Sequence, residues 1–307
     1  METVNCHLCG ASDRRVRYRG RDLLHGTRGE FTIVECVSCG FLYLSPRPDQ
    51  SEIDRYYPSD YMPFRRPLQQ ESSAVHRYDR GIGLRRRCRM IQRWKQTGSL
   101  LDVGCGTGDF LVAMRSVPGW NVRGLEPSSG AAEQARALSG LEVDQVFLDQ
   151  AEYPAGSFDV VTLFDVFEHL PDPREALRRI NNWLRPDGVV VLGLPNRRSV
   201  EASFFGEYWA GLDVPRHFSI FSPGDVRRLL RETGYAAPET FNLTGGYFSF
   251  VLSVGFWLAG IKRPAWQRAA VDSILRSLPV RAFAFPSFML LKWLRLGSTM
   301  IIVARKE

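Results

Sequence analysis

A glycine-rich loop at residues 101–108, Leu-Asp-Val-Gly-Cys-Gly-Thr-Gly, constrains the fold of this chain more than any other segment. The mostly apolar residues 99–103 predict a short buried strand before the loop, and Phe110–Arg115 predicts the start of a helix after it. Glycine in the loop allows positive φ angles and leaves no Cβ between the main chain and a ligand. The pattern therefore predicts a strand, loop and helix that hold a nucleoside against bare backbone.

An acidic residue follows the next predicted strand. Trp120, Val122 and Leu125 belong to this strand, and Glu126 comes directly after it. An acid about twenty residues beyond the loop can accept hydrogen bonds from both hydroxyls of a ribose. Asp102, at the end of the first strand, can accept hydrogen bonds from a ligand amine or order the loop. The loop alone does not identify the cofactor, because several dinucleotide-binding folds use similar glycines.

Further strands and helices alternate along the chain. Residues 157–164 predict another strand, Pro171–Leu184 a helix with Asp172 as its cap, and Val189–Leu194 a fully apolar strand. Apolar strands of this kind are typical of a parallel sheet that is covered on both faces. Residues 298–304 predict the final strand.

The loop Asp-x-Gly-x-Gly-x-Gly at 102–108 resembles motif I of the class I S-adenosylmethionine (SAM)-dependent methyltransferases, and Glu126 resembles their ribose-binding acid. The resemblance covers roughly residues 76–307. It implies an α/β fold with a Rossmann-like, mostly parallel sheet, closed by an antiparallel last strand. It also implies SAM as the cofactor, bound by Asp102, Gly104, Cys105, Gly106, Gly108, Glu126, Phe164 and Asp165. A hydride-transfer enzyme would need a substrate domain with its own base, and the sequence shows none.

Four of the six cysteines form two Cys-x-x-Cys pairs, Cys6 with Cys9 and Cys36 with Cys39, and each pair is followed by glycine. Two tight turns that each supply two thiolates suit tetrahedral zinc. Four sulfur ligands leave no position for water or substrate, so the zinc would be structural. We therefore expect a small zinc ribbon at residues 1–45; four free thiols are the alternative, which leaves the paired spacing unexplained.

The chain of 307 residues exceeds one typical domain. We expect a linker at 46–75, with tyrosines at 56, 57 and 61 that either pack between domains or cover the substrate, and a methyltransferase domain at 76–307. Residues 196–222 form the expected substrate segment, because this loop leaves the carboxyl edge of the sheet and carries Asp213, Arg216 and His217 among aromatic residues. The polar N-terminus predicts no signal peptide.

An apolar insertion at about 246–297 departs from a minimal methyltransferase. Its two apolar runs have basic residues at their edges, and both are shorter than the span of about twenty residues that crosses a bilayer. Two interpretations stay open: contact with a membrane surface, or a helical insertion packed on the sheet or on a second subunit. The net charge of +7 includes an Arg-rich helix at 85–95, which is either a solvated face or a site for phosphate or anionic lipid. We expect a cytoplasmic protein, or one peripheral at the inner face of the membrane, and a homo-oligomer stays open.

For methyl transfer from SAM, the protein must orient the acceptor and, where the acceptor is weak, remove its proton. The candidates are His169 and His217, with Glu168 orienting the acceptor and Tyr208 as a further candidate base. The segment Asp165-x-x-Glu168-His169 also resembles the acid-x-x-Glu-His segment of ubiquinone-biosynthesis O-methyltransferases, where the equivalent residues can bind a divalent metal. This chain has Asp165 where those proteins have Glu, which puts that metal in doubt.

The whole layout resembles bacterial methyltransferases of sugar-nucleotide and cell-surface glycan pathways, including sugar C-methyltransferases with N-terminal zinc modules. The resemblance implies methyl transfer to a small-molecule or glycan-like acceptor. The alternatives are a ubiquinone-type or lipid-like O-methyltransferase at the membrane surface, a zinc-knuckle ribosomal RNA methyltransferase, and a non-catalytic scaffold. Nucleic acid is not the expected partner, because the Asn/Asp-Pro-Pro-aromatic motif that grips a flipped base is absent after the predicted strand at 157–164.

Overall fold

The computed structural model describes residues 1–49, 51–57, 67–242 and 246–307, so Pro58–Tyr61 of the tyrosine-rich linker lies outside the described residues. The first three strands are antiparallel neighbours: β1 (Arg14–Gly20), β2 (Phe31–Cys36) and β3 (Leu42–Leu44). Helix α1 (Ala74–Gln92) then leads into the larger part of the chain. It ends at Gln92, before the end of the Arg-rich segment at 85–95 that was predicted to be helical.

The larger part alternates strands and helices, as the sequence predicts. In chain order these are β4 (Gly98–Val103), α2 (Asp109–Arg115), β5 (Trp120–Leu125), α3 (Ser129–Ser139), β6 (Glu142–Asp144), β7 (Phe158–Phe164), α4 (Pro173–Trp183) and β8 (Leu184–Pro195). They continue with α5 (Val200–Phe205), β9 (Ser219–Ile220), α6 (Pro223–Glu232), β10 (Tyr235–Phe241), α7 (Tyr247–Gly260), α8 (Ala265–Arg276), α9 (Leu278–Trp293) and β11 (Thr299–Lys306). Strand β8 begins earlier than the predicted Val189, since residues 185–188 form an irregularity in its pairing with β7.

Seven of these strands form one sheet in the order β10-β11-β8-β7-β4-β5-β6. The pairs from β8 to β6 are parallel, whereas β11 runs antiparallel to both β8 and β10. Strand interiors such as Leu100, Leu101, Val160 and Val190 are completely buried, because helices cover both faces of the sheet. The predicted α/β sheet with an antiparallel last strand is confirmed. The carboxyl ends of β4, β5 and β7 consequently lie at one edge.

The N-terminal sheet has a fourth strand that comes from the larger part of the chain. Strand β9 pairs with β3, so the order is β1-β2-β3-β9. The guanidinium of Arg47 donates to the carbonyl of Pro171 at 2.8 Å, and Arg174 donates to the carbonyl of Leu8 at 2.8 Å. The expected substrate segment is therefore built into the N-terminal module, and the division at 45 and 75 stays a prediction.

The insertion consists of the three helices α7, α8 and α9, which we call the arm. Helix α7 buries Val251 and Ser253, but neither α8 nor α9 has a buried residue. Helices α8 and α9 therefore lie outside the core, and both interpretations of the insertion stay predictions. Within the described residues, no single helix has the length and hydropathy to cross a membrane; α8 and α9 meet the criterion only as a pair, with a bend of 68° between them.

Candidate cofactor and acceptor site

The glycine loop between β4 and α2 has the backbone that its sequence predicts. Gly104, Gly106 and Gly108 have φ angles of 69°, 54° and 80°. A Cβ on Gly104 would lie 2.4 Å from the side chain of Val166, and one on Gly108 would lie 2.5 Å from Leu141. The loop thus requires glycine both for its conformation and for close packing.

Glu126 lies beside this loop at the end of β5, as predicted. One carboxylate oxygen accepts a hydrogen bond from the N–H of Gly106 at 2.8 Å, and the other accepts one from the N–H of Ser128 at 2.9 Å. Burial raises the pKa of Glu126, although both N–H groups favour its charged form. Each oxygen can still accept a second hydrogen bond, so the carboxylate suits a ribose diol while also ordering the loop.

Asp102 is buried at the end of β4. Its carboxyl accepts a hydrogen bond from the hydroxyl of Thr162 at 2.5 Å. Burial raises the pKa of Asp102 to about 7, although the Thr162 hydroxyl opposes the shift. Asp102 is therefore held in place by a neighbouring strand and stays poised between its two protonation states at neutral pH.

The remaining predicted cofactor residues lie around Phe164 at the end of β7. The Phe164 ring packs edge-on against Phe110 at 5.2 Å. Asp165, which has a positive φ of 58°, is exposed and lies 3.4 Å from Arg87. The thiol of Cys105 is directed at Gly124, where a Cβ would lie 2.6 Å from the sulfur, so this side chain fills the space under the loop.

Sequence analysis did not name Arg87 as a site residue. Its guanidinium lies 4.2 Å from the centroid of the Phe164 ring, in a cation–π contact, and it lines the same cavity as the glycine loop. Arg85, Arg86 and Arg89 are exposed, whereas Arg80 and Arg87 of the same helix line the cavity. In the sequence, the Arg-rich segment directly before the loop was the pattern that could have predicted an arginine at the site.

One cavity of about 1480 Å³ connects the cofactor residues with the expected substrate segment. The glycine loop, Asp102, Glu126 and Phe164 line one part of it, and Glu168, His169 and His217 line another. A third part is apolar and comes from the arm. Phe248, Leu252 and Phe256 of α7 line this part, and sequence analysis did not place them at the site.

The three predicted catalytic residues lie together. Glu168, His169 and His217 each offer a ligand atom within 4.8 Å of the other two. The rings of His169 and His217 meet edge to face at 4.6 Å, and the N–H of Phe218 donates to the carbonyl of Glu168 at 2.9 Å. Asp165 is not part of this group, so the Asp165-Glu168-His169 metal set is not assembled in this arrangement.

Hydrogen bonds to main-chain carbonyls assign the protons of both imidazoles. Nδ1 of His217 lies 2.9 Å from the carbonyl oxygen of Gly211, and Nδ1 of His169 lies 3.0 Å from that of Arg216. A carbonyl can only accept, so Nδ1 carries the proton in each ring and Nε2 is the basic atom. Nε2 of His217 lies 3.8 Å from carboxylate oxygens of both Glu168 and Asp213. Of these two acids, Asp213 raises the pKa of His217 and would stabilise the imidazolium that forms when His217 accepts a proton.

Burial lowers the pKa of both histidines. For His169 the neighbouring His217 adds to the effect, whereas for His217 the carboxylate of Asp213 opposes it. Burial also raises the pKa of Glu168 well above its ordinary value, and neither of its carboxylate oxygens has a hydrogen-bond partner among the described residues. The site therefore holds neutral imidazoles at neutral pH, and His217 is the one whose charged form has acidic neighbours.

Arg216 fixes the backbone that carries His217. Its guanidinium is completely buried and donates to Asp22 of the N-terminal module at 2.7 and 3.0 Å, and to Asp213 at 2.6 and 3.0 Å. Tyr57 of the linker lines the cavity with its hydroxyl oxygen 3.0 Å from Nδ1 of His169, so the N–H of this atom faces both the Tyr57 oxygen and the Arg216 carbonyl, while Tyr56 packs on Phe31.

Tyr208, the further candidate base, is not among the cavity-lining residues. A Cβ on Gly260 of α7 would lie 2.2 Å from the Tyr208 ring, so this tyrosine packs against the arm.

The four paired cysteines form one cluster in the N-terminal module, as predicted. The sulfur atoms of Cys6 and Cys39, and those of Cys9 and Cys36, are 3.6 Å apart. Tetrahedral zinc with Zn–S bonds of about 2.3 Å requires sulfur atoms about 3.8 Å apart, so the cluster fits this ion. The glycine after each pair has a φ above 70°, and its N–H donates to the carbonyl of the first cysteine of that pair.

The sequence model of the family described as "Methyltransferase domain" matches residues 76–239, which is more than half of the chain. The chain belongs to this methyltransferase family. SAM is therefore the methyl donor, and the cavity with its glycine loop and Glu126 fits this cofactor. The resemblance of the glycine loop to that of SAM-dependent methyltransferases is confirmed.

Two relatives of the methyltransferase are ubiquinone biosynthesis O-methyltransferases. The protein of Thiobacillus denitrificans is 34% identical over 172 residues, covering 50% of this chain and 72% of the relative. That of Pseudomonas paraeruginosa is 38% identical over 159 residues, covering 48% and 68%. A solved SAM-dependent methyltransferase from Thermotoga maritima shares the fold, with a TM-score of 0.50 and 18% identity over 76% of this chain and 96% of that one.

Proposed function

We propose that this methyltransferase transfers a methyl group to a hydroxyl of a small acceptor that has an apolar part, and that His217 removes the hydroxyl proton. When bound, SAM supplies an electrophilic methyl group, so the protein must orient and deprotonate the acceptor. Nε2 of His217 carries the free lone pair, and the carboxylate of Asp213 lies close enough to stabilise the imidazolium after proton transfer. The imidazole of His169 packs edge to face against the imidazole of His217.

The apolar wall from α7 carries the proposal about the acceptor. Phe248, Leu252 and Phe256 line the cavity that also contains His217 and the glycine loop. A sugar nucleotide would gain little from these side chains, whereas a lipid-like phenol or alcohol would bury its apolar part there. We therefore prefer a lipid-like acceptor to a free sugar nucleotide. The names of the two ubiquinone biosynthesis O-methyltransferases agree with this preference.

A glycan-like acceptor is the second candidate. The same cavity is lined by Asp149, Asp172, Glu175 and Arg179, whose side chains can bind sugar hydroxyls. A glycan attached to a lipid would use both parts of the cavity. Methylation of ribosomal RNA is a weaker alternative, because the motif for a flipped base is absent from the segment after β7.

We also propose that Cys6, Cys9, Cys36 and Cys39 hold one structural zinc ion, since their sulfur spacing fits a closed tetrahedral shell. The expected location is the cytoplasm, with peripheral binding to the inner face of the membrane. Neither the zinc ion nor the location is part of the proposed methyl-transfer step.

An acceptor panel tests the proposed function. The purified chain is incubated with methyl-labelled SAM and with quinols or phenols of increasing tail length, lipid-linked glycans, sugar nucleotides and RNA. We expect label in an O-methyl group of a tailed hydroxyl compound, with kcat/KM rising with tail length. Label only in sugar nucleotides or RNA would overturn the apolar-acceptor proposal. The Glu126→Ala variant, which should bind SAM more weakly, is the control: label that it incorporates as fast as wild type does not come from SAM bound in the site.

A further inference from the structure

The outer face of the arm exposes many large apolar side chains to solvent. Every exposed residue of α9 except Ser287 is apolar. Phe283 is 88% exposed, Trp293 is 78% exposed, and Trp266 of α8 is 71% exposed. Contiguous patches of this kind mark a surface that a partner or a membrane covers.

Basic residues surround this face. Within residues 246–297 the only acid is Asp272, and the basic residues are Lys262, Arg263, Arg268, Arg276, Arg281, Lys292 and Arg295. Lys262, Arg263, Arg268 and Arg295 are exposed. The arm therefore combines exposed tryptophan and phenylalanine with a strong excess of positive charge, which is the pattern of helices that lie in a membrane interface.

We propose that the arm docks on an anionic lipid surface and that the acceptor enters the cavity from this surface. Phe248 is partly exposed and lines the cavity, so the opening lies on the same helix that begins the arm. The route for the acceptor rests on the proposed function; the lipid docking does not. The arm lies outside residues 76–239, the part of the chain that the family model matches.

Charge distinguishes lipid from the other occupants of the face. A second copy of the chain would bring two basic rims together, whereas anionic headgroups neutralise them. A spanning arrangement would place Arg268, Asp272 and Arg276 of α8 in the hydrocarbon, where each charged side chain is strongly unfavourable. The 68° bend between α8 and α9 also disfavours a continuous span.

Vesicle flotation with the full-length chain tests this docking. We expect the protein to float with phosphatidylcholine vesicles that contain phosphatidylglycerol, and to float much less with pure phosphatidylcholine or at high salt. Phe283→Glu combined with Trp293→Glu should lower the partition coefficient by roughly tenfold or more, since charges then enter the apolar face. Lys262→Glu with Arg263→Glu should lower binding only to anionic vesicles. Val16→Glu, an exposed position on β1, is the matched control and should bind normally.

Two results would overturn the docking proposal. One is equal flotation of wild type and the Phe283/Trp293 variant; the other is a stable wild-type dimer that does not bind vesicles and that Phe283→Glu dissociates. Because the substitutions lie at exposed positions, circular dichroism and SAM affinity should match wild type. Turnover of a short-tailed acceptor should be unchanged in the arm variants. A protein that floats but transfers no methyl group would instead count against the proposed function alone.

Discussion

Arg216 and Asp22 share two hydrogen bonds, at 2.7 and 3.0 Å, although 194 residues separate them in the chain and both side chains are completely buried. Arg216 lies next to His217, and Asp22 follows β1 in the N-terminal module. The pair therefore links the cysteine cluster's module to the backbone of the proposed base. The N-terminal module supports the site without lining most of it.

Arg216→Met should destabilise the protein by about 3–5 kcal/mol, because it leaves Asp22 and Asp213 buried without their cation. Thermal unfolding measures the loss, and Arg21→Ala, which breaks an exposed ion pair with Glu30, should change little. A variant with wild-type stability would show that the buried pair does not hold the module in place.

Asp22 should also make the free energy of unfolding depend on pH in the acidic range. Burial raises its pKa, but the bonds from Arg216 and from the His25 N–H outweigh burial and lower it to about 2. The stabilisation is therefore present above pH 4 and is lost as the pH falls through about 2. Asp22→Asn should flatten the acid side of the unfolding curve, and an unchanged curve would contradict this assignment.

Glu126→Ala should weaken SAM binding by roughly 1–3 kcal/mol, since the carboxylate is the proposed acceptor for the ribose and also bonds to Gly106 and Ser128. Isothermal titration calorimetry checks this value. Glu142→Ala, at an exposed position of the edge strand β6, is the control and should bind SAM normally. Equal affinities in the two variants would contradict the position of the ribose beside β5.

Asp102→Asn should raise the stability of the SAM-free protein while lowering its affinity for SAM. Burial raises the pKa of Asp102 to about 7, so the folded state is penalised progressively as the pH rises from about 4 to about 7. Asn keeps an acceptor for Thr162 without this penalty. The gain in melting temperature should therefore be larger at pH 8 than at pH 5; a gain independent of pH would disprove the titration of Asp102.

Metal analysis tests the cysteine cluster. Protein purified without chelator should contain one zinc ion per chain, and Cys36→Ser should release it and unfold the N-terminal module, because metal binding and local folding are coupled. Cys88→Ser, which changes a buried cysteine of α1, should retain the ion. Metal-free wild-type protein that keeps its fold would contradict the assignment.

Local sequence patterns were sufficient to predict the cofactor half of the fold. The glycine loop, the acid after β5 and the apolar strands β7 and β8 depend on backbone sterics and burial, which short segments determine. The pairing of β3 with β9 and the bond from Arg216 to Asp22 depend on residues far apart in sequence, so no local pattern could reveal them.

The acceptor part of the cavity was harder to predict for the same reason. The apolar run at 251–261 was visible, but its direction toward the cavity follows from how α7 packs on the short turns after α5. Likewise, an Arg-rich α1 does not show which arginine reaches Phe164. Asp213 was noted in the substrate segment, yet its place beside Nε2 of His217 required the folded loop.

The most direct test of the account compares His217→Asn with wild type and with His169→Asn. We expect His217→Asn to lower kcat by roughly 10²–10⁴ while SAM affinity stays within about twofold, since the cofactor contacts lie on other loops. Wild-type kcat should fall as the pH decreases through the pKa of His217, which burial lowers below 6.5, and the residual activity of His217→Asn should lack this step. Full turnover in His217→Asn, with the step intact, would contradict the central claim that this histidine removes the acceptor proton.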